Sequence, residues 1–199
     1  MKVYVDFDRT LFDCDRFLGD LYSLINKYNI TKEIFKECQN QCRKTGFNPY
    51  DILNIVKDKY NFDDNLFKEI DLLMKKTSEY LYSDAIDFLK YLKSLNYEII
   101  ILTKGNSNYQ REKIFNARID SYYNKLMVTM KHKGDLKLDY SNGIFIDDNP
   151  IEIQSILKNK PKMVIRIQRN NSKYSNDLTD IDISCYTSLS DLINSKILE

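Results

Sequence analysis

The sequence predicts an α/β protein, a doubly wound parallel sheet with a block of helices inserted after its first strand. Apolar runs recur along the chain and stop abruptly at polar residues, as the buried strands of parallel sheets do. Stretches with helical spacing of apolar residues separate these runs. One such stretch, residues 13–82, is long enough to hold several helices before the second apolar run begins.

The first strand ends at two carboxylates. Val3, Tyr4 and Val5 lead into Asp6 and Asp8, which point the same way if the strand continues. Two carboxylates about 4 Å apart repel each other by roughly 4 kcal/mol at an effective dielectric constant of about 20. Such a pair needs a cation, a shared proton or full solvation. Taken alone, the segment also fits a solvated turn after an edge strand.

The inserted block reads as four helices, because apolar residues recur at helical spacing from Phe17 to Leu81. The next helix, residues 83–95, returns the chain to the sheet. Capping or first-turn residues mark the starts of the second, third and fourth helices of the block: Thr31, Pro49, and Asp63 or Asp64.

The second core strand, residues 97–102, runs into Thr103, Lys104 and Gly105, and a helical stretch follows. Exposed backbone N–H groups at a helix start favour anions, and a glycine lets the chain approach a ligand closely. The segment is therefore a candidate phosphate-binding turn. An ordinary strand–turn–helix connection with a capping residue is the alternative.

A short strand, residues 126–130, precedes Lys131 and Lys133. Taken singly, each lysine would be interpreted as a solvated surface residue. Near the end of the chain, residues 163–167 read as a further core strand and residues 189–198 as a closing helix.

Another apolar run, residues 143–146, ends at Asp147 and Asp148, and a helix N-cap would explain only one of these acids. In a parallel α/β sheet the carboxyl ends of the strands share one edge, and ligands bind there. We therefore expect one edge to collect the polar residues that end these runs, a set that suits a divalent cation and a phosphate: Asp6, Asp8, Thr103, one of the two lysines, Asp147 and Asp148.

In their order, these residues resemble the four motifs of the haloacid dehalogenase-like hydrolase superfamily. Asp6, Asp8 and Thr10 match its Asp-x-Asp-x-Thr motif, which is only moderately specific alone. The complete ordered set is much more specific. The later matches span most of the chain: Thr103, Lys133 or Lys131, and the pair Asp147 and Asp148.

Two features depart from the family pattern. Arg9 stands where a small residue, often glycine, is common, so it either reaches the phosphate entrance or faces solvent. The stretch between the motif lysine and Asp147 is short, so the helix usually found there is reduced to a turn. Lys133 is preferred over Lys131 as the motif lysine because it stands beside Gly134.

The resemblance implies a Rossmann-like doubly wound parallel sheet with an inserted all-helical cap. The core would comprise residues 1–14 and 83–199, and the cap residues 15–82. Such a cap closes over the site and excludes water. A helical subdomain without gating is the alternative. The strand that ends at Asp6 would be central in the sheet, between the strands that end at Thr103 and Asp147.

The resemblance also implies chemical roles. Asp6 would attack phosphorus to form an aspartyl-phosphate, and Asp8 would exchange protons with the leaving oxygen and the hydrolytic water. Acidic neighbours would favour a protonated Asp8 unless the charge of the metal ion outweighs them. Mg²⁺ would be held by Asp6, the backbone carbonyl of Asp8, Asp148 and, directly or as a supporting acceptor, Asp147. The phosphoryl group would be bound by the hydroxyl of Thr103 and the ammonium of Lys133, and the backbone N–H groups of Lys104 and Gly105 would add donors.

Composition argues against several other classes of protein. A net charge of +1 over 199 residues gives no electrostatic case for nucleic acid or membrane binding. No stretch approaches the roughly 20 apolar residues of a membrane span, and no signal peptide is apparent, so a cytoplasmic location is expected. Cys38 and Cys42 are four residues apart, but the other possible zinc ligands are scattered, so structural zinc is not expected.

The function that follows is a Mg²⁺-dependent phosphatase acting on a small phosphorylated metabolite, either a sugar phosphate or a nucleotide. The related dehalogenases lack the second aspartate, so Asp8 favours phosphoryl transfer over carbon–halogen hydrolysis. A phosphomutase with the same site is one alternative. A catalytically silent binding or regulatory module of the same fold is another. The oligomeric state is left open.

Overall fold

A computed structural model describes residues 1–42, 44–60, 64–170, 172–174 and 183–199. The helices of the inserted block are α1 (Cys14–Asn26), α2 (Lys32–Gln41), α3 (Pro49–Tyr60) and α4 (Asn65–Lys75). The strands are β1 (Lys2–Val5), β2 (Glu98–Lys104), β3 (Lys125–Thr129), β4 (Gly143–Asp147), β5 (Met163–Ile167) and β6 (Ser184–Tyr186). The remaining α-helices are α5 (Ala85–Ser94), α6 (Ser107–Asn116), α7 (Pro150–Leu157) and α8 (Leu189–Ser195). Short 3₁₀ turns cover Thr77–Tyr80, Asp120–Tyr122 and Lys133–Asp135.

The six strands form one parallel sheet in the order β3-β2-β1-β4-β5-β6. The expected fold class is confirmed, and β1 lies between β2 and β4 as predicted. Val5, the last residue of β1, pairs with Ile101 on one side and Ile146 on the other. The three central strands therefore run in register toward one edge of the sheet, where the polar residues at their carboxyl ends lie.

Both faces of the sheet are buried. Val3 and Val5 face a large apolar cluster that includes residues of the inserted block. Tyr4 faces the opposite way, where it stacks on Phe145 at 4.5 Å between ring centroids in a second cluster with α7. Because both faces are covered, the strands read as continuous apolar runs rather than as alternating patterns.

The inserted block begins one residue before its predicted limit, because α1 starts at Cys14 with Asp13 as its N-cap. Thr31 caps α2, its side chain accepting from the Ile34 amide at 3.3 Å. Asp64 precedes α4 without a side-chain cap bond, and Asp63 lies outside the described residues. Each helix buries one apolar face in the large cluster. The assignment of residues 15–82 as a separate cap stays a prediction.

Two observations concern the described part of the chain. None of its helices combines the length and the apolar character that a membrane crossing requires. The four cysteines are free thiols, and the clustered metal-binding side chains of these residues are aspartates, not cysteines.

Candidate active site

Three aspartates form the centre of the candidate site. Asp6 follows β1, Asp147 ends β4 and Asp148 comes next, and all three side chains are buried. One carboxylate oxygen from each lies within 4.8 Å of the other two. The predicted convergence of these acids at one edge of the sheet is therefore observed in the structure.

The lysine that joins this cluster is Lys133. Its Nζ donates to Asp6 Oδ1 at 2.5 Å and to Asp147 Oδ2 at 2.6 Å, whereas Lys131 is exposed. The 3₁₀ turn Lys133–Asp135 lies where the sequence predicted a turn in place of the longer helix that is usual in the family. It packs so closely on α7 that a Cβ at Gly134 would lie 2.0 Å from the carbonyl oxygen of Ser155. The residue beside the lysine must therefore be glycine.

When ionised, the cluster has an excess of negative charge, since three carboxylates face one bonded ammonium, and the Arg9 guanidinium that also acts on Asp148 is itself paired with Asp15. Burial is the largest cause that raises the pKa of Asp6, to about 7, and the nearby charge of Asp147 adds to it. Burial, with the charges of Asp6 and Asp147, also raises the pKa of Asp148 well above its usual range. A divalent cation would remove this excess charge and stabilise all three carboxylates.

One oxygen of the cluster is suited to a metal ion. Asp148 Oδ2 is buried and has no hydrogen-bond partner within the described ranges, which is costly for a carboxylate oxygen. By contrast, Asp147 Oδ1 accepts from the Asn149 amide at 2.9 Å. Buried carboxylate oxygens with a net negative charge are the ligands that Mg²⁺ prefers, so the residues present fit this ion.

Asp8 does not lie among acidic neighbours as predicted. Its Oδ1 accepts from Lys113 Nζ at 2.5 Å, and its Oδ2 accepts from Gln110 Nε2 at 2.8 Å. Burial alone would raise the pKa of Asp8, but the Lys113 ammonium and the two hydrogen bonds outweigh it and lower the pKa. The prediction that neighbouring acids favour a protonated Asp8 is therefore wrong. Helix α6, not the acidic cluster, sets the environment of Asp8.

Lys113 is a site residue that sequence reasoning missed. Its side chain is 1% exposed, and its Nζ lies 5.5, 5.1 and 4.8 Å from the ring centroids of Phe7, Phe12 and Tyr109. The available signal was its position. Gln110 and Lys113 fall on the same buried face of α6 as Tyr109, where apolar residues are expected.

One of the two backbone N–H groups predicted to bind phosphate has another partner, and the predicted Lys133 ammonium already donates to two carboxylates. Gly105 takes a φ of +156°, but its amide donates to the Thr129 carbonyl at 2.9 Å and is not available to a phosphate. The ammonium of Lys104 donates to Glu152 Oε1 at 2.7 Å. Thr103 is better suited, because its hydroxyl is buried without a partner in the described part of the chain. The ammonium of Lys133 keeps one N–H beyond its two carboxylate bonds.

Glu152 organises the lysine turn, and the sequence analysis did not single it out. This buried residue of α7 accepts from the Lys133 amide through Oε2 at 2.8 Å, and Oε1 lies 2.8 Å from His132 Nδ1. Burial would raise its pKa, but the hydrogen bonds from Lys104, Lys133 and His132 lower it. The one feature of the sequence that could have indicated this role is an acidic residue on the helix face predicted to be buried.

Arg9 has a left-handed backbone with φ of 61°, which explains why a small residue is common at this position. Its side chain is 14% exposed and forms two hydrogen bonds to Asp15, at 2.9 and 2.6 Å. The hydroxyl of Thr10 lacks a partner among the described residues, but its carbonyl accepts from Arg169 at 2.9 Å. Arg169 also forms a two-pronged ion pair with Asp84.

Two adjoining cavities open on this site. The first, of about 190 Å³, is lined by the acidic cluster, Thr103, Lys133 and their neighbours. The second, of about 280 Å³, is lined by residues of α1, α2 and α6, including Tyr22 and Gln110. Both cavities share Asp8, Arg9 and Lys104. Asp8 therefore stands at the junction between them.

Comparison with known proteins agrees with this architecture. The family model for haloacid dehalogenase-like hydrolases matches residues 3–165. A protein of Burkholderia xenovorans LB400 assigned to these hydrolases superposes with a TM-score of 0.77 at 16% identity, covering 99% of this chain and 97% of its own. No curated protein sequence matches significantly.

Two further similar structures differ in the activity that they are named for. L-2-haloacid dehalogenase from Xanthobacter autotrophicus gives a TM-score of 0.66 at 13% identity, over 100% of this chain and 99% of its own. A protein of Thermotoga maritima assigned as a β-phosphoglucomutase gives 0.62 at 13% identity, over 98% of each chain. These likenesses show the fold, whereas the family match covers most of the sequence. The chain belongs to the haloacid dehalogenase-like hydrolases.

Proposed function

We propose that this hydrolase is a Mg²⁺-dependent phosphatase that transfers a phosphoryl group to Asp6 and then to water. The observation that carries the proposal is the buried, negatively charged cluster of Asp6, Asp147 and Asp148 beside the unpartnered hydroxyl of Thr103. A divalent cation and a phosphoryl group together would satisfy both the charge excess and the hydroxyl.

Four groups would hold the ion: the carboxylates of Asp6, Asp147 and Asp148 and the backbone carbonyl of Asp8. When bound, Mg²⁺ would neutralise the charge repulsion between Asp6 and an incoming phosphoester and would orient the phosphoryl oxygens. The hydroxyl of Thr103 and the remaining N–H of Lys133 would donate to the same oxygens, whose charge is spread in the transition state.

In the first step, a carboxylate oxygen of Asp6 forms a bond to phosphorus as the bond from phosphorus to the leaving oxygen breaks. Asp8, at the junction of the two cavities, delivers a proton to that leaving oxygen. In the second step, water forms a bond to phosphorus, the Asp6–phosphorus bond breaks, and Asp8 accepts the proton of the water.

Because the Lys113 ammonium lowers the pKa of Asp8 and favours its ionised form, the substrate would supply the proton for the first step. A phosphomonoester can bring it, since the second pKa of a phosphate ester is about 6 and part of the substrate carries a proton near neutral pH. Asp8 would then pass that proton from the phosphate to the leaving oxygen. This sequence balances its protons without an additional acid.

The helical block, residues 15–82, would serve as a cap. The second cavity lies between α1, α2 and α6, so it would receive the leaving group of a small phosphorylated metabolite. Its volume of about 280 Å³ is at the lower end for ligand pockets, which favours a small substrate. The cap would also keep bulk water from the aspartyl-phosphate.

The test is release of inorganic phosphate from a panel of sugar phosphates and nucleotides with and without Mg²⁺. The proposal expects Mg²⁺-dependent release from at least one compound and none from the Asp6→Asn variant. A dehalogenase would instead release halide from a 2-haloacid, and a phosphomutase would yield an isomeric sugar phosphate. Activity that survives EDTA, or that survives in Asp6→Asn, would contradict the proposal.

A further inference from the structure

Helix α6 presents two polar side chains to Asp8, and both are almost completely buried. Gln110 is 4% exposed and the side chain of Lys113 is 1% exposed, whereas that of Asp8 is 20% exposed. Together they donate one hydrogen bond to each carboxylate oxygen of Asp8. The carboxylate is therefore held at both oxygens from one side.

This arrangement is costly for stability alone. Removing an ammonium from water costs several kcal/mol, and an ion pair with a single carboxylate often fails to recover it. The rings of Phe7, Phe12 and Tyr109 around Lys113 offset part of the cost through cation–π contacts. An apolar side chain would pack against these rings without the cost of burying a charge. The charge of Lys113 therefore points to a role at Asp8.

We propose that Lys113 and Gln110 are positioning residues that fix the Asp8 carboxylate for proton exchange with the leaving oxygen and with the hydrolytic water. A carboxylate offers about four lone-pair directions, and these two residues take one direction on each oxygen. The remaining directions are left for groups in the two cavities that Asp8 lines. Both residues act through Asp8 and are not themselves expected to contact the phosphoryl group.

The geometry also explains why α6 can hold Asp8 firmly. The carbonyl of Lys113 accepts from the buried hydroxyl of Thr77 at 3.0 Å, which ties this turn of α6 to the 3₁₀ turn that follows α4. Tyr109, on the same face, is buried against Phe47 at 5.4 Å between ring centroids. A helix anchored at both points restricts where Nζ of Lys113 can lie.

The inference rests on the proposed function, and its test uses two substrates that differ in their need for a proton. Phenyl phosphate releases a basic phenolate that needs protonation, whereas 4-nitrophenyl phosphate releases a stable anion that does not. The quantity compared is kcat/KM, which reports the steps up to release of the phenol. In Asp8→Asn and in Lys113→Met, we expect a loss of roughly 10²-fold for phenyl phosphate and a much smaller loss for the nitrophenyl ester.

Further variants separate positioning from general damage. Asp8→Asn/Lys113→Met should be no slower toward phenyl phosphate than Asp8→Asn, since Lys113 acts through Asp8. Gln110→Met, which keeps the volume and removes the donor, should show a smaller loss with the same substrate preference. If Lys113→Met fails to fold, Gln110→Met tests the positioning role instead. Arg111→Met, an exposed cation on the same helix, should match the wild type for both esters.

A second measurement reports on the proton transfer from the hydrolytic water to Asp8. With 4-nitrophenyl phosphate, Lys113→Met should accumulate phosphorylated protein detectable by intact mass, because hydrolysis of the aspartyl-phosphate also needs a positioned Asp8. One result would overturn the inference and leave the proposed function intact. In it, Asp8→Asn loses more kcat/KM for phenyl phosphate than for 4-nitrophenyl phosphate, whereas Lys113→Met and Gln110→Met lose equally for both esters. A wild-type protein that releases phosphate neither from these esters nor from any sugar phosphate or nucleotide of the panel would contradict the proposed function, and the inference would fall with it.

Discussion

Lys133 follows Asp6 by 127 positions in the sequence, yet its ammonium lies 2.5 Å from the Asp6 carboxylate and 2.6 Å from that of Asp147. The two acids lie at the ends of neighbouring parallel strands, and the lysine reaches them from a turn packed on α7. This bridge holds two buried like charges together.

Substitution of Lys133 should disable the site, because it leaves two buried carboxylates without their cation. We expect Lys133→Met to lower phosphatase kcat by at least 10²-fold and to destabilise the fold by about 3–5 kcal/mol, the usual cost of breaking a buried ion pair. Kinetics and urea unfolding measure the two effects. Lys131→Met is the matched control, since Lys131 is exposed, and it should behave as the wild type. A greater loss of kcat in Lys131→Met than in Lys133→Met would show that Lys131 is the motif lysine.

Mg²⁺ should stabilise the folded protein even without substrate. An ion bound only to the folded state adds about 2.7 kcal/mol at a concentration 100-fold above its Kd. Calorimetry should therefore show a Tm that rises with Mg²⁺ in the wild type. The rise should vanish in Asp148→Asn but persist in Asp87→Asn, an exposed acid paired with Lys90. A Tm that is insensitive to Mg²⁺ in the wild type would reject the metal site.

Gly134 should tolerate no side chain, because a Cβ there would overlap the Ser155 carbonyl. We expect Gly134→Ala to destabilise the protein by about 1–3 kcal/mol and to displace Lys133, with a loss of activity. Gly19 lies within α1 and has nothing within 4 Å of its ideal Cβ, so Gly19→Ala should stabilise the fold by about 0.5–1 kcal/mol. Similar effects of the two substitutions would contradict the observed packing of the turn on α7.

The ion pair between Asp84 and Arg169 should make stability depend on pH. Burial would raise the pKa of Asp84, but Arg169 outweighs it, so the folded pKa lies below the usual value of about 3.9. The stabilisation is therefore complete above about pH 4 and is lost as pH falls through the lower folded pKa. In urea unfolding, Asp84→Asn should cost about 3 kcal/mol at pH 7 and much less at pH 2. A cost that is the same at both values would exclude this linkage.

The sheet was predictable from the sequence because parallel strands buried on both faces leave continuous apolar runs, each ended by a polar residue. The run that ends at Asp6 and the run that ends at Asp147 could be placed side by side for that reason. Lys133 was preferred because of Gly134, and the close packing of that glycine supplies the physical reason.

The partners of Asp8 were not predictable, because they are two polar side chains on the buried face of a helix, beside Tyr109 and Ile114. Gln110 and Lys113 look like ordinary surface residues of α6 unless the register of its buried face is known. Glu152 was missed for the same reason on α7. The amide of Gly105 was misassigned because its pairing with Thr129 depends on which strand lies beside β2 and in which register, and apolar periodicity defines neither.

The most direct measurement of the central claim is rapid acid quenching of the wild-type protein during turnover of a ³²P-labelled phosphoester with Mg²⁺, followed by peptide mapping. The account predicts transient label on the peptide that contains Asp6 and no label in the Asp6→Asn variant. Release of labelled phosphate by a protein whose Asp6 never becomes labelled, or stable label on another residue, would contradict it.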